Sequence, residues 1–137
     1  MAKDFEIKQQ GTGFKTRLCE IASATVLEAG DLVTLTSNLI VKAGAGSTLL
    51  AYCPKGSADG ETTVEITEGN DFTLVGTGDG VWSEDYRGDS AGISGTTDLL
   101  VDVTGASTNV IRLEAAEDSG TVDSTSKIEF RIILPIF

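Results

Sequence analysis

Apolar and polar residues alternate with a period of two along most of this chain. In Thr62 to Glu68, Val64 and Ile66 point one way while Thr63, Glu65 and Thr67 point the other. Leu99, Val101 and Val103 oppose Asp98, Leu100 and Asp102 in the same manner. Ile111, Leu113 and Ala115 oppose Val110, Arg112 and Glu114, while Ile128, Phe130, Ile132 and Leu134 oppose Lys127, Glu129, Arg131 and Ile133. Successive side chains leave a strand on opposite faces, so each run predicts a half-buried strand. Further strands are expected near 14–21, 32–36, 39–43, 47–53 and 71–76. No stretch sustains a 3.6-residue period, and residues 20–29 and 112–118 hold at most a short helical turn.

Between these runs stand Ser37-Asn38, Ala58-Asp59-Gly60, Glu68-Gly69-Asn70-Asp71, Thr104-Gly105-Ala106-Ser107 and Asp118-Ser119-Gly120. Such residues tolerate positive φ or bond back to their own backbone, and so mark turns. Their spacing of about 8–12 residues favours an antiparallel β-barrel or β-sandwich. The expected fold is therefore all-β, with short strands, glycine-rich loops and little helix. Residues 1–13 are polar, end in Gly11-Thr12-Gly13, and read as a flexible arm or an edge strand. Residues 14–137 read as a single β-domain. Within it, residues 77–97 carry five glycines around Trp82 and Tyr86 and read as a long loop, of the kind that often binds.

The 137 residues suffice to bury a core without staples. Ten Lys and Arg against twenty-one Asp and Glu give a net charge of −11. That balance opposes binding to nucleic-acid phosphates and to anionic membranes. It favours solubility, mutual repulsion of free subunits, or docking onto basic patches. No segment has the apolar core of a signal peptide, and the run Ile132 to Phe137 is too short to span a bilayer. The reading is a soluble protein synthesised in the cytoplasm, with Cys19 and Cys53 as two buried thiols rather than one disulfide.

Chemistry is sparse. There is no histidine, so the many serines and threonines lack their commonest base. Twenty-one scattered acids nominate no particular carboxylate pair. Thr77 to Asp85 sets acids near glycines without the spacing of a calcium loop, and reads as a solvated acidic loop. Gly76-Thr77-Gly78-Asp79-Gly80 lacks the dinucleotide spacing, and Gly11-Thr12-Gly13-Phe14-Lys15-Thr16 lacks the gap of a phosphate loop. Arg87-Gly88-Asp89 matches an integrin-recognised tripeptide, but a turning loop needs such residues anyway. No cofactor, no metal and no enzymatic activity are expected.

What stands out instead is apolar surface. Trp82 and Tyr86 lie among polar residues, either capping the core or anchoring a partner. The carboxyl terminus, Ile132 to Phe137, has more apolar surface than one strand face needs, and a neighbouring subunit is the favoured cover. Phe5 and Phe14 add an aromatic element near the arm. The candidate contact residues are Phe5, Phe14, Trp82, Tyr86, Ile133, Ile136 and Phe137.

Gly30-Asp31-Leu32-Val33-Thr34-Leu35, a turn, Leu39-Ile40-Val41-Lys42-Ala43, then Ser47-Thr48-Leu49-Leu50-Ala51-Tyr52, Asp59-Gly60-Glu61 and Thr63-Val64-Glu65-Ile66 form a succession. It resembles the head decoration, or cement, proteins of tailed bacteriophages, over a third to a half of the chain. The resemblance implies a β-barrel or β-sandwich on the outside of the virion. There it would bind the major capsid protein, clamp adjacent capsomers and form a homo-oligomer, with a trimer favoured. The alternative is an adhesive or carbohydrate-binding β-module of a phage fibre or bacterial surface, with Trp82 and Tyr86 stacking on sugars.

Overall fold

The computed structural model describes residues 5–95, 99–103, 109–116 and 127–137. Residues 1–4 of the arm, Asp98, and the turns at 104–107 and 118–120 lie outside them. The described residues form an antiparallel all-β fold whose one helical element is the 3-10 turn Glu84–Tyr86. The strands are β1 (Phe5–Gln10), β2 (Lys15–Glu20), β3 (Asp31–Thr36), β4 (Leu39–Lys42), β5 (Ala51–Cys53) and β6 (Thr63–Glu68). They continue with β7 (Phe72–Thr77), β8 (Ser90–Ser94), β9 (Leu100–Asp102), β10 (Ile111–Ala116) and β11 (Lys127–Ile132).

Six strands make one sheet in the order β1-β7-β11-β10-β8-β9. It curls, because β9 returns to the end of β7: Val101 bridges Gly78, and Asp79 N–H donates to the Val101 carbonyl at 2.9 Å. The Asp79 carboxylate then accepts from Val103 N–H at 3.0 Å and from the Ser94 hydroxyl at 2.8 Å. Asp79, expected in a solvated loop, is thus a local clasp. Phe5, Leu74, Ile93, Val101, Ile111, Leu113, Ile128, Phe130 and Ile132 line the inner face.

β2 pairs with β6 and β1 with β7, and the two pairings are continuous. Residues 5–20 run against 63–77 as one bent antiparallel ribbon that leaves one sheet and enters another, a known way to turn a corner in packed sheets. At the bend Gly11 N–H donates to the Asp71 carbonyl at 2.8 Å, and Gly13 N–H to the Asp71 carboxylate at 2.7 Å. A Cβ on Gly11 would run into that carboxylate, so a side chain there would displace Asp71 from its place at the corner. Within the segment 1–13, the described residues 5–10 form an edge strand and 11–13 the corner.

The third sheet, β4-β3-β5, lies between two cores. Leu32 and Tyr52 face the first; Val33, Ala51 and Cys53 face the second, with Ile21, Leu27, Ile40, Val64 and Ile66. Burial on both faces is why Leu50 to Cys53 reads as a continuous apolar run rather than an alternation. Ser37 and Asn38, at φ 52° and 67°, form the two-residue turn between β3 and β4, with the backbone twist that tight hairpins prefer.

Several expectations are corrected. The strand near 47–53 is confined to Ala51–Cys53. The described part of 112–118, residues 112–116, offered as a helical turn, is strand, and 20–29 holds the end of β2, isolated bridges and hydrogen-bonded turns without helix. The loop 77–97 contains the 3-10 turn and all of β8. β11 stops at Ile132, so Leu134 does not continue its inward face. Val110, expected on an outer face, is buried.

Candidate functional site

The seven candidate contact residues do not gather at one place. Phe5 is wholly buried, meeting Phe130 edge to face at 5.6 Å. It fills a notch that Gly76 leaves open, since a Cβ there would come within 2.5 Å of its ring. Trp82 is 4% exposed and joins the same core, its ring set edge to face on half-buried Tyr86 at 5.9 Å. Its indole N–H is buried and has no hydrogen-bond partner among the described residues. Burial removes Phe5 and Trp82 from the partner-facing surface: the capping alternative describes Trp82, which presents no open ring face for stacking a sugar. Phe14 is half-buried against Phe72 at 5.6 Å, beside the corner.

The tail is different. Leu50 N–H donates to the Leu134 carbonyl at 3.0 Å, and Ile136 N–H donates to the Leu50 carbonyl at 3.0 Å. This parallel bridge spans Pro135 without using the nitrogen that proline cannot offer. Ile136 packs half-buried against the second core. Phe137 is 44% exposed, lies under the Arg17 guanidinium at 4.2 Å, and accepts from Gly69 N–H at 2.8 Å. Ile133 is 37% exposed. The tail is therefore half strap and half surface.

Two residues outside the candidate set complete the surface. Leu49 and Leu134 flank the parallel bridge and Ile133 precedes Leu134, so the backbone brings three exposed large apolar residues to one place, an apolar ridge along the bridge. Extending the β11 alternation places Leu134 inward; only the break at Ile132 reveals it as surface. Leu49 sits where the apolar run of the third sheet begins, and its exposure there is decided by contacts distant in sequence.

Charged groups mark the corner. Glu68 receives Arg17 and Lys15, the latter at 3.3 Å. The Arg17 hydrogen bond, seconded by Lys15, holds the Glu68 carboxyl below the usual carboxylate range. Glu65 is held low in the same way by Lys55, with help from the Thr16 hydroxyl. Cys19 and Cys53 are free thiols whose pKa values burial pushes up, which makes them poor nucleophiles.

A cleft of about 600 Å³ lies where Ile21 bridges Ile40, with Glu20, Asp59, Glu61, Ser23 and Thr25 among its walls. Among the described residues no group of histidine, cysteine or acidic side chains is placed to hold a metal, and no helix is long and apolar enough to cross a membrane. The geometry offers an all-β body whose described residues leave Leu49, Ile133 and Leu134 exposed around one bridge, with Leu18, Val26 and Val81 exposed elsewhere. The chain matches no protein-family model, no curated protein sequence and no solved structure.

Proposed function

We propose that this chain is a structural protein of a virus particle. It binds the major capsid protein on the outside of the assembled shell, as a homo-oligomer with a trimer favoured, and stabilises the shell without covalent bonds. The observation that carries the reading is the exposed ridge of Leu49, Ile133 and Leu134 on a body otherwise fastened by strand pairing. Apolar side chains left together at the surface mark an interaction site. The resemblance at residues 30–66 to phage decoration proteins supports the same direction. Each subunit contributes a modest contact, and simultaneous engagement by several subunits converts it into firm retention.

The test is co-sedimentation of the purified protein with mature expanded shells and with unexpanded precursors. The expected result is saturable binding at a fixed number of copies per capsomer, preferring expanded shells. Ile133→Glu and Leu134→Glu are expected to lower occupancy at least tenfold while leaving the fold intact. Because Ile136 packs on the second core, these surface substitutions are the proper variants, and truncation of the tail is not. Absence of binding to both shell forms rejects the proposal.

A further inference from the structure

The outer face of the six-stranded sheet carries a pairing that sheet energetics disfavour. Arg112 on β10 lies directly opposite Arg131 on β11. Like charges in that position destabilise a sheet. Both side chains are exposed. Arg131 leans on Glu114, Nε to Oε1 at 3.4 Å, next to a shift in register that leaves Glu114 unpaired in the ladder. Arg87 reaches the same place from the 3-10 turn. It donates to the Glu114 carbonyl at 3.0 Å and pairs with Glu84 at 2.7 Å. The Arg112 guanidinium makes no hydrogen bond or ion pair with a described residue and lies near Gly88. Three of the four arginines thus meet on one face of a chain whose net charge is −11.

This face adjoins the apolar ridge. Ile133 follows Arg131 by two residues, and its N–H donates at 2.7 Å to the carbonyl of Val110, two residues before Arg112. Exposed apolar residues beside arginines are features found enriched at protein interfaces, although here Glu114 and Glu84 pair with two of the three arginines.

We infer that the arginine-flanked ridge is a head-to-tail self-association surface that takes a carboxylate-rich face of a second copy of this chain. A two-fold contact would set Arg112 and Arg131 of one copy against the same pair of the other, which repels. The chain itself supplies the complement, since its acids outnumber its cations by twenty-one to ten and most arginines are gathered here. A head-to-tail contact that closes gives a ring. The inference rests on the homo-oligomer proposed above and specifies its chemistry.

Sedimentation velocity of the full chain tests it. The wild type is expected to form one closed oligomer in low salt and to dissociate in about 1 M NaCl, where the screening length is ~3 Å. Arg112→Glu turns the like-charged pair into an opposite one, so the variant is expected to melt no lower than wild type. It is nonetheless expected to self-associate at least tenfold more weakly, while Arg112→Lys retains association. A wild type that stays monomeric in low salt, an oligomer indifferent to salt, or an Arg112→Glu variant that associates like wild type overturns the inference. Shell co-sedimentation of the wild type separates the two claims. Shell binding with unaltered Arg112→Glu assembly sinks only the inference, and salt-sensitive assembly without shell binding sinks only the capsid role.

Discussion

At the scale of single residues, the fold depends on places where one side chain occupies space another gives up. Gly76 makes room for Phe5. Gly76→Ala is expected to destabilise the fold by about 1–3 kcal/mol through overpacking, read by urea unfolding. In a double-mutant cycle with Phe5→Leu that loss should shrink, and strict additivity would reject the notch. Glu68 makes an electrostatic prediction. Its carboxyl is held low in the folded state, so the stability it contributes is present above its unfolded pKa and is lost as pH falls through the folded value. The stability difference between wild type and Glu68→Gln should hold steady at neutral pH and shrink in acid, below the ordinary carboxylate range. A difference that stays constant down to the acid limit would show that the Arg17 and Lys15 contacts do not act on ionisation.

Strands and turns differ in how openly their sequences announce them. β6, β9, β10 and β11 alternate because one face is more buried than the other, and their inward residues are legible: Val64, Ile66, Val101, Ile111, Leu113, Ile128 and Phe130 are all buried, while Thr67, expected outward, is buried as acceptor of Tyr52 N–H. β5 does not alternate because it lies between two cores, and hydrophobicity alone overstates its length. β8 is hidden inside a glycine-rich stretch, because Ser90-Ala91-Gly92-Ile93-Ser94 gains strand character only by pairing with β10 and β9. Of the candidate surface, the tail is legible from its surplus of apolar residues. The burial of Phe5 and Trp82 is not, since the surfaces covering them come from elsewhere in the chain. The β3–β4 turn offers a test at this scale. Ser37 and Asn38 both sit at positive φ, where an asparagine followed by a glycine is the preferred pair. The double substitution Ser37→Asn with Asn38→Gly is expected to stabilise the protein by about 1 kcal/mol, seen as a raised thermal midpoint; no change would mean that the turn does not limit stability.

For the molecule as a whole, the central fact is that two cores share one sheet. Leu32 and Val33, adjacent in sequence, pack into different cores. Loss of either core therefore strips one face from β3, and the two are expected to unfold together. Ile66→Val, in the second core, should cost about 0.5–1.5 kcal/mol. It should move the fluorescence transition of Trp82, in the first core, by the same amount as the far-ultraviolet dichroism transition. Transitions that separate would show the cores to be independent units. The bent ribbon has a further consequence for how the chain is made. Residues 5–20 find their partners only once residues 63–77 have been synthesised, a wait on the order of several seconds at about 5–20 residues per second. During that interval two future strands stand exposed beside the ribosome. Their polar sequence, with Lys8, Gln9, Gln10, Lys15 and Arg17 among them, keeps them from pairing with the wrong chain while they wait.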